Sequence, residues 1–360
     1  MKRNYTNIEV DARMWNSSGI GRFLREIVQR APSDLNIMLR GNLDVPNVAT
    51  VDASPIYSLR EQFTRAGSGS VVWVPHFNIS WLDMRERVVT IHDVAPLALP
   101  AVFGRGLRRW YAWSFMWFLG KTSRHVFFVS KFTLSEYRFY LGFTPRSSSV
   151  VLNGVDSFWT KGLNSEAEHF KINQPAKRIL VVGNLKEHKN ILQVCAALRE
   201  MGDRGQVELR VVGKRDGFIT GAVRLPECTW IKLLGQISDE ELRSEYRCAS
   251  CFVMPSLYEG FGLPILEAMS AGCLVAISDI PVFREICMTD NQVQIAEFFD
   301  PRSTDDVRKA ITRALSLSPA DRICRIEESK RHAQYYSWES AANKIWTVLA
   351  DVAAHEGEMI

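Results

Sequence analysis

Eight short runs of β-branched and aromatic residues, separated by longer stretches of helical periodicity, restrict this chain more than any other feature. They are Ile8-Glu9-Val10, Val71-Val72-Trp73-Val74, Val88-Val89-Thr90-Ile91 and Val126-Phe127-Phe128-Val129, then Ile179-Leu180-Val181-Val182, Leu209-Arg210-Val211-Val212, Cys251-Phe252-Val253-Met254 and Leu274-Val275-Ala276-Ile277. Near-continuous apolar strands with helices between them belong in parallel sheets covered on both faces. The rhythm occurs twice. Between the two sets, Val150-Val151-Leu152-Asn153-Gly154-Val155-Asp156 leads into a polar stretch reaching about Ala176, with Pro175 inside it, and the domain junction is placed there. After Ser337, a good N-cap, the residues Trp338, Ala342, Ile345, Leu349 and Val352 recur at helical spacing and predict one amphipathic helix at the end. In doubly wound sheets ligands sit at the carboxyl ends of the strands, so function is sought in the loops that follow them.

The 360 residues suffice for two domains, or at most three, and 46% hydrophobic with 23% charged residues is the balance of a globular protein rather than a disordered or fibrous one. The longest charge-free run, Ala66 to Leu82, is too short and too polar for a membrane span. Behind the basic Lys2 and Arg3, Ile8-Glu9-Val10-Asp11 lacks the apolar stretch of a signal peptide, which points to the cytoplasm. Seven cysteines, all in the second half, lack paired metal-ligand spacing and read as reduced thiols; Cys248-x-x-Cys251 has no second pair to complete a zinc site.

Residues 1–155 hold 19 Lys and Arg against 11 Asp and Glu, whereas the remainder holds 25 against 29. A basic first half suggests an anionic partner, a phosphorylated substrate or an acidic membrane surface. Nucleic acid is disfavoured, because the chain has no zinc-finger or RNP motif and no dense basic run.

Several loops carry chemistry. Ser17-Ser18-Gly19-Ile20-Gly21-Arg22 follows the first strand and precedes a helix whose buried face is Phe23, Leu24, Ile27 and Val28. It is either a plain turn or an anion site, and Leu24 stands where a dinucleotide fingerprint would have its third glycine. Thr90-Ile91-His92-Asp93 sets His92 at a strand end, and Pro75-His76-Phe77-Asn78 does the same for His76 one strand earlier; each is a sugar-contacting or a backbone-satisfied histidine. Gly183-Asn184-Leu185-Lys186-Glu187-His188-Lys189-Asn190 repeats the strand, loop, helix order with added cations, and Lys189 there either neutralises a leaving diphosphate or is a surface charge. The most specific signal is Glu259-Gly260-Phe261-Gly262-Leu263-Pro264-Ile265-Leu266-Glu267. Two glutamates flank a glycine-rich turn and a helix start, and carboxylates there accept from the vicinal hydroxyls of a sugar and a ribose.

In order and spacing these segments resemble the retaining GT-B glycosyltransferases of glycosyltransferase family 4, in particular bacterial mannosyltransferase-like members that build surface polysaccharides. Asp11-Ala12-Arg13, Val129-Ser130-Lys131-Phe132, Asn153-Gly154-Val155-Asp156 and Ser337-Trp338-Glu339 extend the likeness over nearly the whole chain. The resemblance implies a GT-B fold, two Rossmann-like domains whose parallel sheets face a central cleft. Residues 1–156 would form the acceptor domain, 157–336 the nucleotide-sugar donor domain, and 337–360 a helix crossing back to the first. It implies His92 and Glu259 as catalytic residues at the reacting sugar and Glu267 on the donor ribose. Phe261, Gly262 and Leu263 would hold the donor sugar through their N–H groups. Gly19, Gly21, Gly183, Asn184, His188 and Lys189 would serve the diphosphate, and His76 and Lys131 the acceptor. The implied reaction moves a sugar, best matched by mannose from GDP-mannose, to a glycan or a lipid-pyrophosphate-linked acceptor.

Asn184 departs from the arginine common in relatives, which shifts diphosphate neutralisation to Lys189 and His188. Leu274 stands where many have proline. With no Asp-x-Asp motif in the chain, neither a metal nor another cofactor is expected. A nucleotide-sugar epimerase-like GT-B enzyme and a non-catalytic nucleotide-sugar binding subunit remain alternatives. Trp110 to Leu119, flanked by Arg105, Arg108, Arg109, Lys121 and Arg124, is either a core helix or a segment that touches the inner face of the cytoplasmic membrane.

Overall fold

The computed structural model of the chain describes residues 7–17, 19–41, 49–51, 70–78, 80, 83, 86–104, 106–161, 176–214, 223–289 and 293–357. Ser18, Arg105, Pro175 with most of the polar stretch before Ala176, and much of the Ala66–Leu82 run lie outside the described residues. The chain divides into two units, one of Met1–Pro100, Gly104–Gly154 and Ser337–Ile360, the other of Ala101–Phe103 and Val155–Tyr336.

In the first unit, the strands are β1 (Asn7–Asp11), β2 (Ile37–Arg40), β3 (Ala49–Val51), β4 (Ser70–Val74), β5 (Arg87–Ile91), β6 (His125–Phe128) and β7 (Ser148–Val150). They pair in the order β3-β2-β1-β4-β5-β6-β7, every neighbour parallel. Parallel pairing demands a crossover between strands, and the helices Gly19–Val28, Leu107–Thr122 and Lys131–Leu141 belong to these connections. Buried Ile8, Val10, Val72, Trp73, Val89 and Phe127 show why these strands read as unbroken apolar runs.

The last helix, Trp338–Gly357, completes this unit by packing on the helix Gly19–Val28 and on β1 and β4. Ser337 caps it, its hydroxyl accepting from the Ser340 N–H at 3.3 Å. Trp346 is buried against Trp73 and donates its indole N–H to the Ile27 carbonyl at 2.9 Å. Gly21 lies in the first helical turn, where a Cβ would strike the backbone of Met14 and Trp15. The helix starts at Gly19, so both glycines stand within its first turn rather than ahead of it.

The second unit repeats the plan with β8 (Lys177–Val182), β9 (Val207–Val212), β10 (Ile231–Gly235), β11 (Cys251–Met254), β12 (Val275–Ser278) and β13 (Glu297–Phe299) in the order β10-β9-β8-β11-β12-β13. Its core gathers Ile179, Val181, Leu209, Val211 and Val253 beneath helices that include Ile191–Asp203 and Thr304–Leu315. In both sheets the order reverses beside the unit's first strand, between β1 and β4 and between β8 and β11. Loops leave in opposite directions at such a point and open a crevice at the carboxyl edge. Among the described residues no helix is long and apolar enough to cross a membrane.

Removing the Trp346 ring empties a fully packed site, so Trp346→Ala is expected to cost roughly 3–5 kcal/mol. Urea unfolding checks this, and an unchanged midpoint would contradict the role given to the last helix.

Candidate active site

The loop after β8 begins at Gly183, whose N–H goes to the Val212 carbonyl at 2.8 Å. Asn184 accepts the Lys214 N–H at its side-chain oxygen at 3.3 Å, and buried Leu185 anchors the turn. A single 3-10 turn, Glu187–Lys189, then precedes the helix Ile191–Asp203. Asn190 joins the two with φ of 55°, the one non-glycine residue with positive φ among those described, and its side-chain amide donates to the Pro301 carbonyl at 2.7 Å. Asparagine tolerates this left-handed conformation better than most residues, and the turn it makes orients Lys189.

The loop after β11 meets this one across the switch point. The Leu257 N–H donates to the His188 carbonyl at 2.8 Å, tying the loops together. Lys189 Nζ lies 2.5 Å from Glu259 Oε1, and the Ser256 hydroxyl donates to the same oxygen at 2.6 Å. Glu259 is thus held by a cation and a hydroxyl, both from the crevice edge. Beyond it Gly262 takes φ of 120°, and a Cβ there would come 2.9 Å from the Phe283 ring. Only glycine serves at this position.

The helix Leu263–Ser270 starts there, and the N–H groups of Phe261, Gly262 and Leu263 make no hydrogen bond among the described residues. Unpaired N–H groups at a helix N-terminus favour an anion or a carbohydrate oxygen. On the same helix Glu267 is buried and accepts from the Tyr246 hydroxyl at 3.1 Å. A carboxylate accepts hydrogen bonds from hydroxyl groups.

His188 is buried under the Phe103 ring, with centroids 5.9 Å apart, and its Nδ1 has no partner among the described residues. Burial, with Lys189 beside it, lowers its pKa to about 4, so the ring is neutral at physiological pH.

The switch point of the first unit holds a different set. Asp11 ends β1 and is bridged by Arg13, Nε to Oδ1 at 2.8 Å and Nη2 to Oδ2 at 2.5 Å. His76, just past β4, accepts the Asn78 N–H at Nδ1 (3.0 Å) and brings Nε2 to 3.2 Å from Asp11 Oδ2. Burial opposes ionisation of Asp11, but His76 and Arg13 outweigh it and hold the carboxyl well below the usual range. Since Nδ1 accepts, the proton of His76 resides on Nε2, facing Asp11. His76 is thereby held beside Asp11 in the loop that follows β4.

His92 differs. Its Nε2 is 3.0 Å from the Pro75 carbonyl, which can only accept, so Nδ1 keeps its lone pair. Burial first, and His76 nearby, bring its pKa down to about 4. His92, Asp93, His76, Asn78, Met14 and Ile20 line one pocket. Gly19, at the start of the neighbouring helix, has open space around its Cα. Lys131 is the exposed first residue of the helix Lys131–Leu141, and Thr133 in that first turn reaches the His92 carbonyl at 3.4 Å.

Among the residues singled out from sequence, the second unit brings Lys189 and Glu259 together and sets Phe261, Gly262, Leu263 and Glu267 on the next helix start. The first gathers His76 and His92. Ser256 and Tyr246 join the site only in the structure; the local sequence signal for the first is a serine three residues before Glu259.

A family model described as "Glycosyl transferases group 1" matches residues 164–351. The O-antigen chain mannosyltransferase RfbU of Salmonella typhimurium is 27% identical over 223 residues, 61% of this chain and 59% of that protein. The O-antigen chain mannosyltransferase B of Escherichia coli is 33% identical over 171 residues, 46% of this chain and 43% of that protein. The chain thus spans about half the length of these curated relatives. Among solved structures, sucrose-phosphate synthase from Thermosynechococcus elongatus superposes with a TM-score of 0.73 at 17% identity, covering 97% of this chain and 100% of that one. WaaG, titled a glycosyltransferase involved in lipopolysaccharide biosynthesis, gives 0.70 at 14% identity, covering 95% and 99%. These likenesses establish the fold as GT-B.

His92 and His188 are expected to titrate near pH 4 instead of the ordinary 6.5. The unfolded chain takes up these protons first, so stability falls as pH drops from about 6.5 towards 4 and is restored above that window. Histidine ring resonances followed by NMR check this; shifts of His92 or His188 centred between pH 6 and 7 would contradict it.

Proposed function

The chain belongs to the group 1 glycosyl transferases, and on that premise we propose that it is a retaining glycosyltransferase that moves a hexosyl group from a nucleoside-diphosphate sugar to a glycan acceptor. The observation that carries the reading is the Lys189–Glu259 pair at the β8/β11 switch point, beside a helix start with three unpaired N–H groups. In the reaction the bond from the anomeric carbon to the diphosphate oxygen breaks. The acceptor hydroxyl oxygen bonds to that carbon, and its proton leaves with the departing diphosphate. Lys189 meets the charge that builds on the leaving oxygen, which is where a fixed cation accelerates reaction most.

Glu259 takes a hydroxyl of the transferred sugar and shares its position with the Phe261, Gly262 and Leu263 N–H groups. Glu267 takes the ribose hydroxyls, with Tyr246 fixing its orientation. In the first unit, neutral His92 offers Nδ1 to a sugar hydroxyl. His76, Asp11 and Arg13 set the Pro75–Asn78 loop, whose Pro75 carbonyl accepts the His92 Nε2–H hydrogen bond, and Gly19, Gly21 and Lys131 stand at helix starts suited to phosphate. This charge neutralisation is performed by side chains and helix ends, so the step needs no metal ion or other cofactor.

GDP-mannose is the donor best supported, since both relatives described above are named as O-antigen chain mannosyltransferases. Their names also support a surface polysaccharide as the product and a lipid-pyrophosphate-linked glycan, presented at the cytoplasmic face of the membrane, as acceptor.

Initial rates with radiolabelled GDP-mannose and lipid-linked glycan test the assignment. Lys189→Ala is expected to lower kcat by roughly 10²–10³ with little change in KM for the donor. Glu267→Ala is expected to raise donor KM about 10–100-fold, the loss of a hydrogen bond to a charged group. Transfer unaffected by either change would contradict the assignment, and sugar conversion on donor alone would indicate an epimerase instead.

A further inference from the structure

The helix Leu107–Thr122 is apolar around nearly its whole circumference, the pattern of a buried helix, yet it is not buried. One side, with Ala112, Phe115, Met116 and Leu119, packs into the first unit. The other side presents Trp110, Trp113 and Trp117, spaced three and four residues apart and therefore on one stripe. Trp110 is 67% exposed and Leu107, one turn earlier, 85%. Phe139, 76% exposed, extends the patch from the helix Lys131–Leu141, where the Tyr140 carbonyl accepts the Trp113 indole N–H at 3.2 Å. Five of the eleven large apolar side chains exposed among the described residues belong to this one surface.

Its charge is as one-sided as its apolarity. Residues 107–146 contain seven Lys and Arg and a single acid, Glu136. Lys121 sits 6.0 Å from the Trp117 ring centroid and 3.8 Å from that of Phe143, so cations and rings are interleaved. Exposed Arg108, Arg109 and Arg138 border the patch.

We infer that this face seats the protein on an anionic lipid bilayer, with the tryptophans at headgroup level and the arginines and lysine against the phosphates. Tryptophan is the residue most at home at such a boundary, and basic side chains near it are drawn to anionic lipid. The one-sided positive charge bordering the tryptophans, with Glu136 the single acid among residues 107–146, is complementary to anionic lipid. The seat also adjoins the pocket. Tyr111, on the shoulder of the same helix, donates its hydroxyl to Asn78 Oδ1 at 2.5 Å, and Asn78 and His76 line the pocket that includes His92. The inference depends on neither the donor nor the reaction.

Cosedimentation of the full chain with vesicles of phosphatidylcholine alone, or with phosphatidylglycerol added, tests it. Binding is expected only to the anionic vesicles and is expected to weaken with salt. The double variants Arg108→Glu with Arg109→Glu, and Leu107→Ser with Trp110→Ser, are each expected to lose about tenfold or more in binding, with unchanged circular dichroism and thermal midpoint. Failure of the folded parent to bind anionic vesicles would overturn the inference, as would variants that bind as well as the parent. So would a dimer, seen by light scattering, that the Leu107→Ser with Trp110→Ser variant dissolves while vesicle binding persists, since the face would then cover a second copy.

Discussion

The reversal of strand order in each sheet is the constraint on which the rest depends. Parallel strands put all their carboxyl ends along one edge, and right-handed crossovers send successive loops the same way until the order turns. At β8 and β11 the loops part, and there the second unit places the Lys189 turn and the Ser256–Glu259 turn opposite one another. No local propensity would pair a lysine and a glutamate 70 residues apart. The fold does so because both follow strands that are neighbours in the sheet but not in sequence.

Electrostatics then separates the two switch points. In the second unit a flexible cation, a carboxylate and unpaired backbone donors converge, a set able to exchange its internal partner for a phosphate or a sugar. In the first, Asp11 is bound by Arg13 and His76 so firmly that its charge is fixed, and it works as scaffold. What that scaffold presents is one neutral imidazole. Burial keeps His92 neutral at pH 7, because a low-dielectric site disfavours the imidazolium.

Much of this was legible before the fold was known. The eight interior runs became β1, β4, β5, β6, β8, β9, β11 and β12, because strands buried on both faces announce themselves as apolar runs. The strands that were missed, β2, β3, β7, β10 and β13, are short or lie towards the sheet edges: Ser148–Val150 is half-buried throughout, and Glu297 in β13 is polar because Arg313 and Arg325 hold it from neighbouring helices. Glu259 and Glu267 stood out through the glycines between them, and Gly262 justifies that attention by its backbone. Tyr246 beneath Glu267 could not be read, since the bond spans 21 residues and two elements. His76 matches His92 in its position after a strand, and only the fold shows Asp11 and Asn78 beside its ring. The Trp110–Leu119 sequence fits a core helix or an interface segment alike, and the structure shows a helix with an apolar buried side and an aromatic outer one.

The central claim is that the paired loops after β8 and β11, with the helix start that follows, bind a nucleoside-diphosphate sugar. Thermal unfolding with GDP-, UDP-, dTDP- and ADP-sugars, without added metal, tests it most directly. A ligand at about 100 times its Kd contributes roughly 2.7 kcal/mol, a shift of several degrees. Stabilisation by sugars of one nucleotide family is expected, strongly reduced in Glu267→Ala and retained in Lys189→Ala. No shift with any of them, or an undiminished shift in Glu267→Ala, would contradict it.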